Sequence, residues 1–88
     1  MKIAFKTSFV RDLKKIRNDR LLNQVRNTID KLGNSNDIAE LSNIKQLKGS
    51  ENHYRIRIGT YRIGLALVED TLYFVRCLPR KDIYKRFP

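Results

Sequence analysis

The sequence predicts a small α+β domain in which a two-helix hairpin packs on one face of an antiparallel sheet. Apolar residues recur at helical spacing early in the chain and alternate with polar residues in its second half. Turn-forming residues separate these runs, and a chain of 88 residues has room for one core. We therefore predict a single domain over residues 1–88 with the element order β-α-α-β-β-β.

The helical part of the chain is predicted to follow a short strand at residues 2–6, where apolar and polar side chains alternate. Thr7 or Ser8 is expected to cap the first helix, which ends at the turn-forming run "NDR". A second helix is predicted over about residues 20–32, and Gly33 is placed to end it. The apolar positions are Phe9, Leu13 and Ile16 in the first helix and Leu22, Val25, Ile29 and Leu32 in the second.

Three strands are predicted in the second half of the chain, after a loop at residues 34–43 that has room for one helical turn. They span residues 54–58, 61–68 and 72–77, and the dipeptides "GT" and "ED" form the turns between them. The tail "LPRKDIYKRFP" is predicted to form a turn or a short helix.

The turn "GT" sets the register of the first two of these strands, because a two-residue loop with Gly first favours hairpin turns. In that register Arg57 opposes Arg62, and successive side chains alternate between the two faces. The face toward the helices would carry Tyr54, Ile56, Ile58, Ile63, Leu65 and Leu67. The outer face would carry Arg55, Arg57, Arg62, Gly64 and Ala66, where the small residues leave room above the sheet. A slip of one residue would bury the arginines, so the apolar pattern supports this register.

The arginines of the outer face have no acidic partner on either strand, although like charges opposed across strands destabilise a sheet. The chain carries 19 Lys and Arg against 9 Asp and Glu, a net charge of +10. From residue 53 onward most of the basic residues are Arg, which grips phosphate with a planar fork of two hydrogen bonds. The pattern indicates a polyanionic partner, and a basic face used only for solvation is the alternative.

The tail adds Arg80, Lys81 and Tyr84 to this picture. If the tail leaves the last strand near the arginine face, Tyr84 would lie above that face. Nearby cations favour a phenolate, so the pKa of Tyr84 is expected to fall below its usual value of about 10. Tyr84 would then be able to accept a proton. The alternative is that its ring only pins the tail to the sheet.

The composition argues against several kinds of site. Cys77 is the one cysteine and is expected to be packed rather than reactive; with the single His53 it cannot complete a four-ligand zinc site. No metal and no cofactor are therefore expected, and no glycine-rich phosphate loop or Ser-His-Asp signature is present. No apolar run could span a bilayer and the N-terminus lacks a signal-peptide pattern, so we expect a cytoplasmic protein with no membrane partner.

Three segments, "LKG", "YRIRIGTYRI" and "LPRKDIY", occur in this order and at suitable spacing. They resemble the RelE/ParE superfamily of bacterial toxins, whose small fold has the element order predicted above. The resemblance covers nearly the whole chain. It implies that residues 1–88 form a RelE-like toxin domain of a type II toxin-antitoxin pair, with a cognate antitoxin as its partner.

RelE-like members cut messenger RNA in the ribosomal A site, and the resemblance implies this metal-independent endoribonuclease activity here. The ribose 2′-hydroxyl would attack the adjacent phosphate and leave a 2′,3′-cyclic phosphate. Tyr84 would assist deprotonation, Arg62 would stabilise the pentacoordinate phosphate, and Arg80 would aid the leaving oxygen. The RNA-binding residues that the resemblance implies are Arg55, Arg57, Lys48 and Lys81.

ParE-like members inhibit DNA gyrase instead and lack the nuclease residues, although they keep much of the "YRIRIGTYRI" pattern. A gyrase-inhibiting toxin without nuclease activity is therefore the alternative to the endoribonuclease. A non-toxic nucleic-acid-binding module is a third hypothesis. The presence of Arg80 and Tyr84 together with a filled arginine face favours the nuclease.

Overall fold

A five-stranded sheet carries two helices on one face and a third helix on the other in the computed structural model, which describes residues 1–88. The strands are β1 (Lys2–Phe5), β2 (Ile44–Gln46), β3 (His53–Ile58), β4 (Tyr61–Val68) and β5 (Thr71–Pro79). The helices are α1 (Thr7–Lys14), α2 (Asp19–Gly33) and α3 (Arg80–Arg86), and a 3-10 turn covers Ile38–Glu40. The order of strands across the sheet is β1-β5-β4-β3-β2.

The α+β class and the two-helix layer are confirmed, whereas the sheet is mixed rather than wholly antiparallel. Strands β2 to β5 pair antiparallel, but β1 runs parallel to β5. Two helices and three strands lie between β1 and β5 in the chain, so no hairpin turn forces these two strands to run in opposite directions. The additional strand β2 is three residues long, which is too short for an alternating pattern to reveal it.

The predicted hairpin register is confirmed at the β3–β4 turn. Arg57 lies opposite Arg62 and Ile56 lies opposite Ile63. Gly59 has a φ of +56°, a left-handed conformation that side chains other than that of glycine rarely adopt. The isoleucine pair is fully buried, and each buried isoleucine contributes about 2 kcal/mol of hydrophobic free energy. A slip in register would therefore cost more than repulsion between the two arginines.

The main core lies between the helical layer and one face of the sheet. Phe9 of α1 packs against Phe74 of β5 with ring centroids 5.3 Å apart. In α2 it is Leu21 that is buried, while Leu22, the predicted core residue, is only partly so. The other buried members of this cluster are Ile16, Val25, Leu32, Ile38, Ile56, Ile58, Ile63, Leu65, Leu72 and Cys77. None of the helices has the length and apolar character that a membrane-spanning helix needs.

Helix α1 covers the part of the β5 edge that lies beyond the end of β1. Ser8 Oγ donates to the carbonyl of Val75 at 2.6 Å, and Asp12 Oδ2 accepts from the backbone N–H of Cys77 at 2.9 Å. Ser8 and Asp12 are four residues apart and so share one face of the helix. The expectation that Ser8 or Thr7 caps α1 is not met: the helix begins at Thr7, so the capping position falls on Lys6, whose side chain has no acceptor for a backbone N–H. The Ser8 hydroxyl satisfies a strand carbonyl instead.

The carboxylate of Asp12 also forms a two-pronged ion pair with Arg76 of β5. Arg76 Nε and Nη2 donate to the two carboxylate oxygens at 2.8 and 3.1 Å, and the bond to Asp12 raises the pKa of Arg76. Burial, followed by the nearby Asp12 charge, raises the pKa of the Cys77 thiol to about 12. Cys77 is thus a packed, protonated residue, as the sequence predicted.

The substitution Asp12→Ala is expected to lower the free energy of unfolding by about 3 kcal/mol, because it leaves a buried N–H and a guanidinium without their acceptor. Chemical denaturation followed by circular dichroism measures the change. Asp30→Ala removes an exposed acid from α2 and serves as the matched control, with an expected change below about 0.5 kcal/mol. An equal loss of unfolding free energy in the two variants would contradict the stabilising role of Asp12 at the edge of β5.

Candidate functional site

A groove of about 360 Å³ opens on the outer face of the sheet, beside the β3–β4 turn. Its walls bring together five residues singled out in the sequence: Arg55, Arg57, Arg62, Arg80 and Tyr84. Residues 42–45, at the entrance to β2, form the remaining wall. No acidic side chain lines the groove, so its charge is wholly positive. An anion is the natural occupant of such a site.

The sheet and the start of α3 position the arginines. Arg55 and Arg57 are two residues apart on β3, so their side chains point to the same face. Arg62 lies directly opposite Arg57 on β4. Arg80 begins α3, and its backbone N–H donates to the carbonyl of Thr60 at 2.9 Å. That bond ties the first turn of α3 to the hairpin and brings residues from three elements to one groove.

Among the arginines of the groove, Arg62 has the side chain that is hydrogen-bonded to the backbone. Its Nη1 donates to the carbonyl oxygens of Gly59 at 2.9 Å and Tyr61 at 2.8 Å. Partial burial lowers the pKa of Arg62, the charge of Arg80 lowers it further, and Tyr84 acts in the opposite direction. Arginine nevertheless stays protonated in proteins, so Arg62 is a fixed cation with donors left for a ligand.

Tyr84 projects from α3 over the arginines and is 54% exposed. The guanidinium carbon of Arg55 lies 4.5 Å from the centroid of its ring, within the range of a cation–π contact. Hydrogen bonding from Arg80 lowers the pKa of Tyr84. Slight burial raises this pKa, whereas the charges of Arg55, Arg80 and Arg62 lower it further. The groove therefore combines fixed cations with a phenol that loses its proton more readily than free tyrosine.

The end of α3 is held by a second, smaller apolar contact on the outer face. Ile83 is 1% exposed and Phe87 is 8% exposed, and neither belongs to the main core. The Phe87 ring lies on Gly64: a Cβ at that position would come within 2.7 Å of the ring atoms. The ring also meets His53 edge-on at 5.6 Å between centroids. The room expected above Gly64 is therefore filled, and the glycine serves to admit Phe87.

Three lysines lie at different distances from this groove. Lys45, which the sequence reasoning missed, is opposite Arg55 on β2 and lines the groove. Only the position of β2 reveals it. Lys81 lines an adjoining concavity of about 530 Å³ with Arg80 and Tyr84. Lys48 lies in the turn between β2 and β3 and is not among the residues that line the groove.

Comparison with known proteins places the chain in a family. The sequence model of the "ParE toxin of type II toxin-antitoxin system, parDE" matches residues 3–84. Toxin RelE3 of Methanocaldococcus jannaschii is 43% identical in an alignment of 89 positions, which covers 100% of both chains. The chain belongs to the RelE/ParE family of type II toxin-antitoxin toxins.

Solved structures share the fold. A chain in the crystal structure of the RelB-RelE antitoxin-toxin complex from Methanococcus jannaschii is 40% identical, with a TM-score of 0.82; the match covers 96% of this chain and 98% of that one. A chain of the toxin-antitoxin complex RelBE2 from Mycobacterium tuberculosis is 25% identical, with a TM-score of 0.64, over 90% and 96% of the two chains.

The lowered pKa of Tyr84 is directly measurable. Tyrosinate absorbance is followed during an alkaline titration of the unsubstituted protein and of Tyr84→Phe, and the difference between the curves reports Tyr84 alone. We expect its midpoint to lie below the value of about 10 for free tyrosine. Arg80→Ala should raise that midpoint, because Arg80 is the first cause of the shift. A midpoint at or above that of free tyrosine would contradict the stabilisation of the Tyr84 phenolate by the neighbouring arginines.

The contact between Gly64 and Phe87 is expected to couple the sheet to the position of Tyr84. Gly64→Ala should displace Phe87, lower the free energy of unfolding by about 1 kcal/mol and raise the pKa of Tyr84, because α3 moves away from the arginines. The same titration measures the pKa. The double variant Gly64→Ala/Phe87→Ala is the control: once the ring is absent, the added methyl should cost little more than Phe87→Ala alone. Strict additivity would argue against the contact.

Proposed function

We propose that this toxin is a metal-independent endoribonuclease that cleaves messenger RNA on the ribosome. The observation that carries the proposal is the convergence of Tyr84, with its lowered pKa, and four arginines on one groove. Phosphoryl transfer needs charge neutralisation and a proton acceptor, and side chains of the groove can provide both. The proposed mechanism therefore calls for no metal ion and no cofactor.

The proposed reaction begins when the phenolate of Tyr84 takes the proton of a ribose 2′-hydroxyl. The 2′-oxygen then forms a bond to the adjacent phosphorus while the bond to the 5′-oxygen of the next nucleotide breaks. Arg62, held against the turn, stabilises the charge on the pentacoordinate phosphate. Arg80 balances the charge on the leaving 5′-oxygen, which takes its proton from solvent. The products are a 2′,3′-cyclic phosphate and a free 5′-hydroxyl.

The remaining basic residues are assigned to binding. Arg55 and Arg57 would hold the RNA backbone, since arginine stays protonated and has no free site for another proton, and this leaves Tyr84 as the general base. Lys45 would add a point charge beside Arg55. Lys81 borders the site and would contact the backbone there, and Lys48, in the turn between β2 and β3, would bind RNA outside the groove. These contacts should make affinity for RNA strongly dependent on salt.

The proposed partner that controls this activity is a cognate antitoxin. A chain at 40% identity was solved as a RelB-RelE antitoxin-toxin complex, which supports an antitoxin for this chain as well. The net charge of +10 favours a partner with acidic segments. Such a segment would compete with RNA if it occupied the groove.

Primer extension on message from cells that express the toxin tests the proposed reaction. New 5′ ends within translated messages are expected, with cyclic phosphate on the upstream fragments. Tyr84→Phe should slow cleavage by about 10² to 10⁴, the range of general base catalysis, and Arg62→Ala by about 10² to 10³. Arg26→Ala, on the exposed side of α2, is the matched control and should leave cleavage unchanged. Full cleavage by Tyr84→Phe would reject the mechanism.

Inhibition of DNA gyrase is the second candidate function, favoured by the match to a family model that bears the ParE name. It predicts trapped gyrase-DNA complexes and intact messages in the same cells. The groove would then serve only to bind, and Tyr84→Phe would remain toxic.

A further inference from the structure

The outer face of the sheet continues beyond Phe87 as a second surface, separate from the arginine groove. Its central row runs across four strands in register: Ala4 of β1, Tyr73 of β5, Ala66 of β4 and His53 of β3. Tyr73 thus has an alanine on each side, so its ring stands between the smallest side chains of the row. Neither alanine would obstruct a large flat group that approaches this ring.

Tyr73 differs from the other tyrosines of the sheet. Tyr54 and Tyr61 pack against the main core, and Tyr73 does not. Its contact is with a cation, as Lys6 Nζ lies 4.7 Å from the centroid of its ring. The Lys6 side chain is exposed and Lys2 stands on the same face of β1, so positive charge borders the ring on the edge of the sheet.

We propose that Tyr73 and Lys6 form a second nucleotide-binding site, in which a base of a single RNA strand stacks on the Tyr73 ring and Lys6 pairs with its phosphate. That this RNA strand is part of the messenger RNA bound in the arginine groove rests on the proposed function. Aromatic rings on an open sheet are a recurrent means of binding single-stranded RNA, because every base has a flat face to stack.

The position of this site suits a strand that leaves the arginine groove. Ala66, the neighbour of Tyr73, is four residues from Arg62 along β4, which corresponds to roughly 13 Å. The Phe87 ring, which lies on Gly64, stands between them, so the strand would pass beside that ring. A strand of a few nucleotides covers that distance. Beyond Tyr73 the β4–β5 turn carries Glu69 and Asp70, whose charges would repel a phosphate and mark the end of the path.

RNA is a better match for this surface than an apolar protein segment. The patch has one ring framed by alanines and edged by lysines, which offers a protein helix few apolar anchors. A nucleotide uses both features at once, because its base stacks on the Tyr73 ring and its phosphate pairs with Lys6.

Fluorescence provides a direct test, since the chain has no tryptophan. Tyr73→Trp in the Tyr84→Phe background introduces a single reporter into a protein that would not consume its probe. Titration with a short oligoadenylate should quench the reporter saturably, because a stacked base quenches indole emission. Val10→Trp, exposed on α1, is the matched control and should be unaffected.

Affinity gives an independent readout from the anisotropy of a labelled oligoadenylate. In the Tyr84→Phe background, Tyr73→Ala should weaken binding on the order of tenfold, the loss expected for one stacked base, and Tyr73→Phe should retain affinity. A dinucleotide is too short to reach beyond the groove. It should therefore bind equally to the Tyr84→Phe protein and to its Tyr73→Ala and Tyr73→Phe derivatives.

The outcomes separate this site from the proposed nuclease. An unquenched reporter with normal oligonucleotide binding overturns the Tyr73 site, while primer extension can still find cleavage. Failure of the free protein to bind oligoadenylate overturns it as well, because the site is complete in this chain. Protection of the reporter only in a toxin-antitoxin complex would reassign the surface to a protein partner.

Discussion

The register of the β3–β4 hairpin is the constraint on which both the core and the groove depend. Gly59 allows the tight turn, and strict alternation along the paired strands then separates two kinds of chemistry. Ile56 and Ile63 face the helices while Arg57 and Arg62 face outward. Burial of the isoleucines outweighs the repulsion between the arginines, so the hydrophobic core keeps a cluster of like charges in place.

The position of α3 beside the groove depends on the lack of a side chain at Gly64. Gly64 lets the Phe87 ring lie directly on β4, and this ring with Ile83 holds α3 above the outer face. Tyr84 sits between these two anchors in sequence and points over Arg55. Apolar packing of Ile83 and Phe87 therefore positions the Tyr84 phenol, and the charges of the neighbouring arginines lower its pKa.

The edges of the sheet show how a chain of this size satisfies its backbone. β1 pairs with only the first part of β5, and α1 supplies Ser8 and Asp12 to the strand groups that remain. Asp12 also neutralises Arg76, so this arginine is structural although it belongs to the arginine-rich half of the chain. Arginine content alone thus does not separate binding residues from structural ones.

Sequence alone determined the α+β class, both main helices, four of the five strands and the hairpin register, because these follow from apolar periodicity and from a turn with one favoured geometry. It also selected Arg55, Arg57 and Arg62 as one outward-facing set. The tertiary structure decided what distant segments do: the parallel pairing of β1, the short strand that brings Lys45 to the groove, and the use of Ser8 on a strand edge rather than as a cap. It likewise decided that Phe87 fills the space above Gly64, and that Tyr73 stays outside the core. Local patterns record which face a side chain occupies, whereas contacts between residues far apart in the chain depend on how the elements pack in three dimensions.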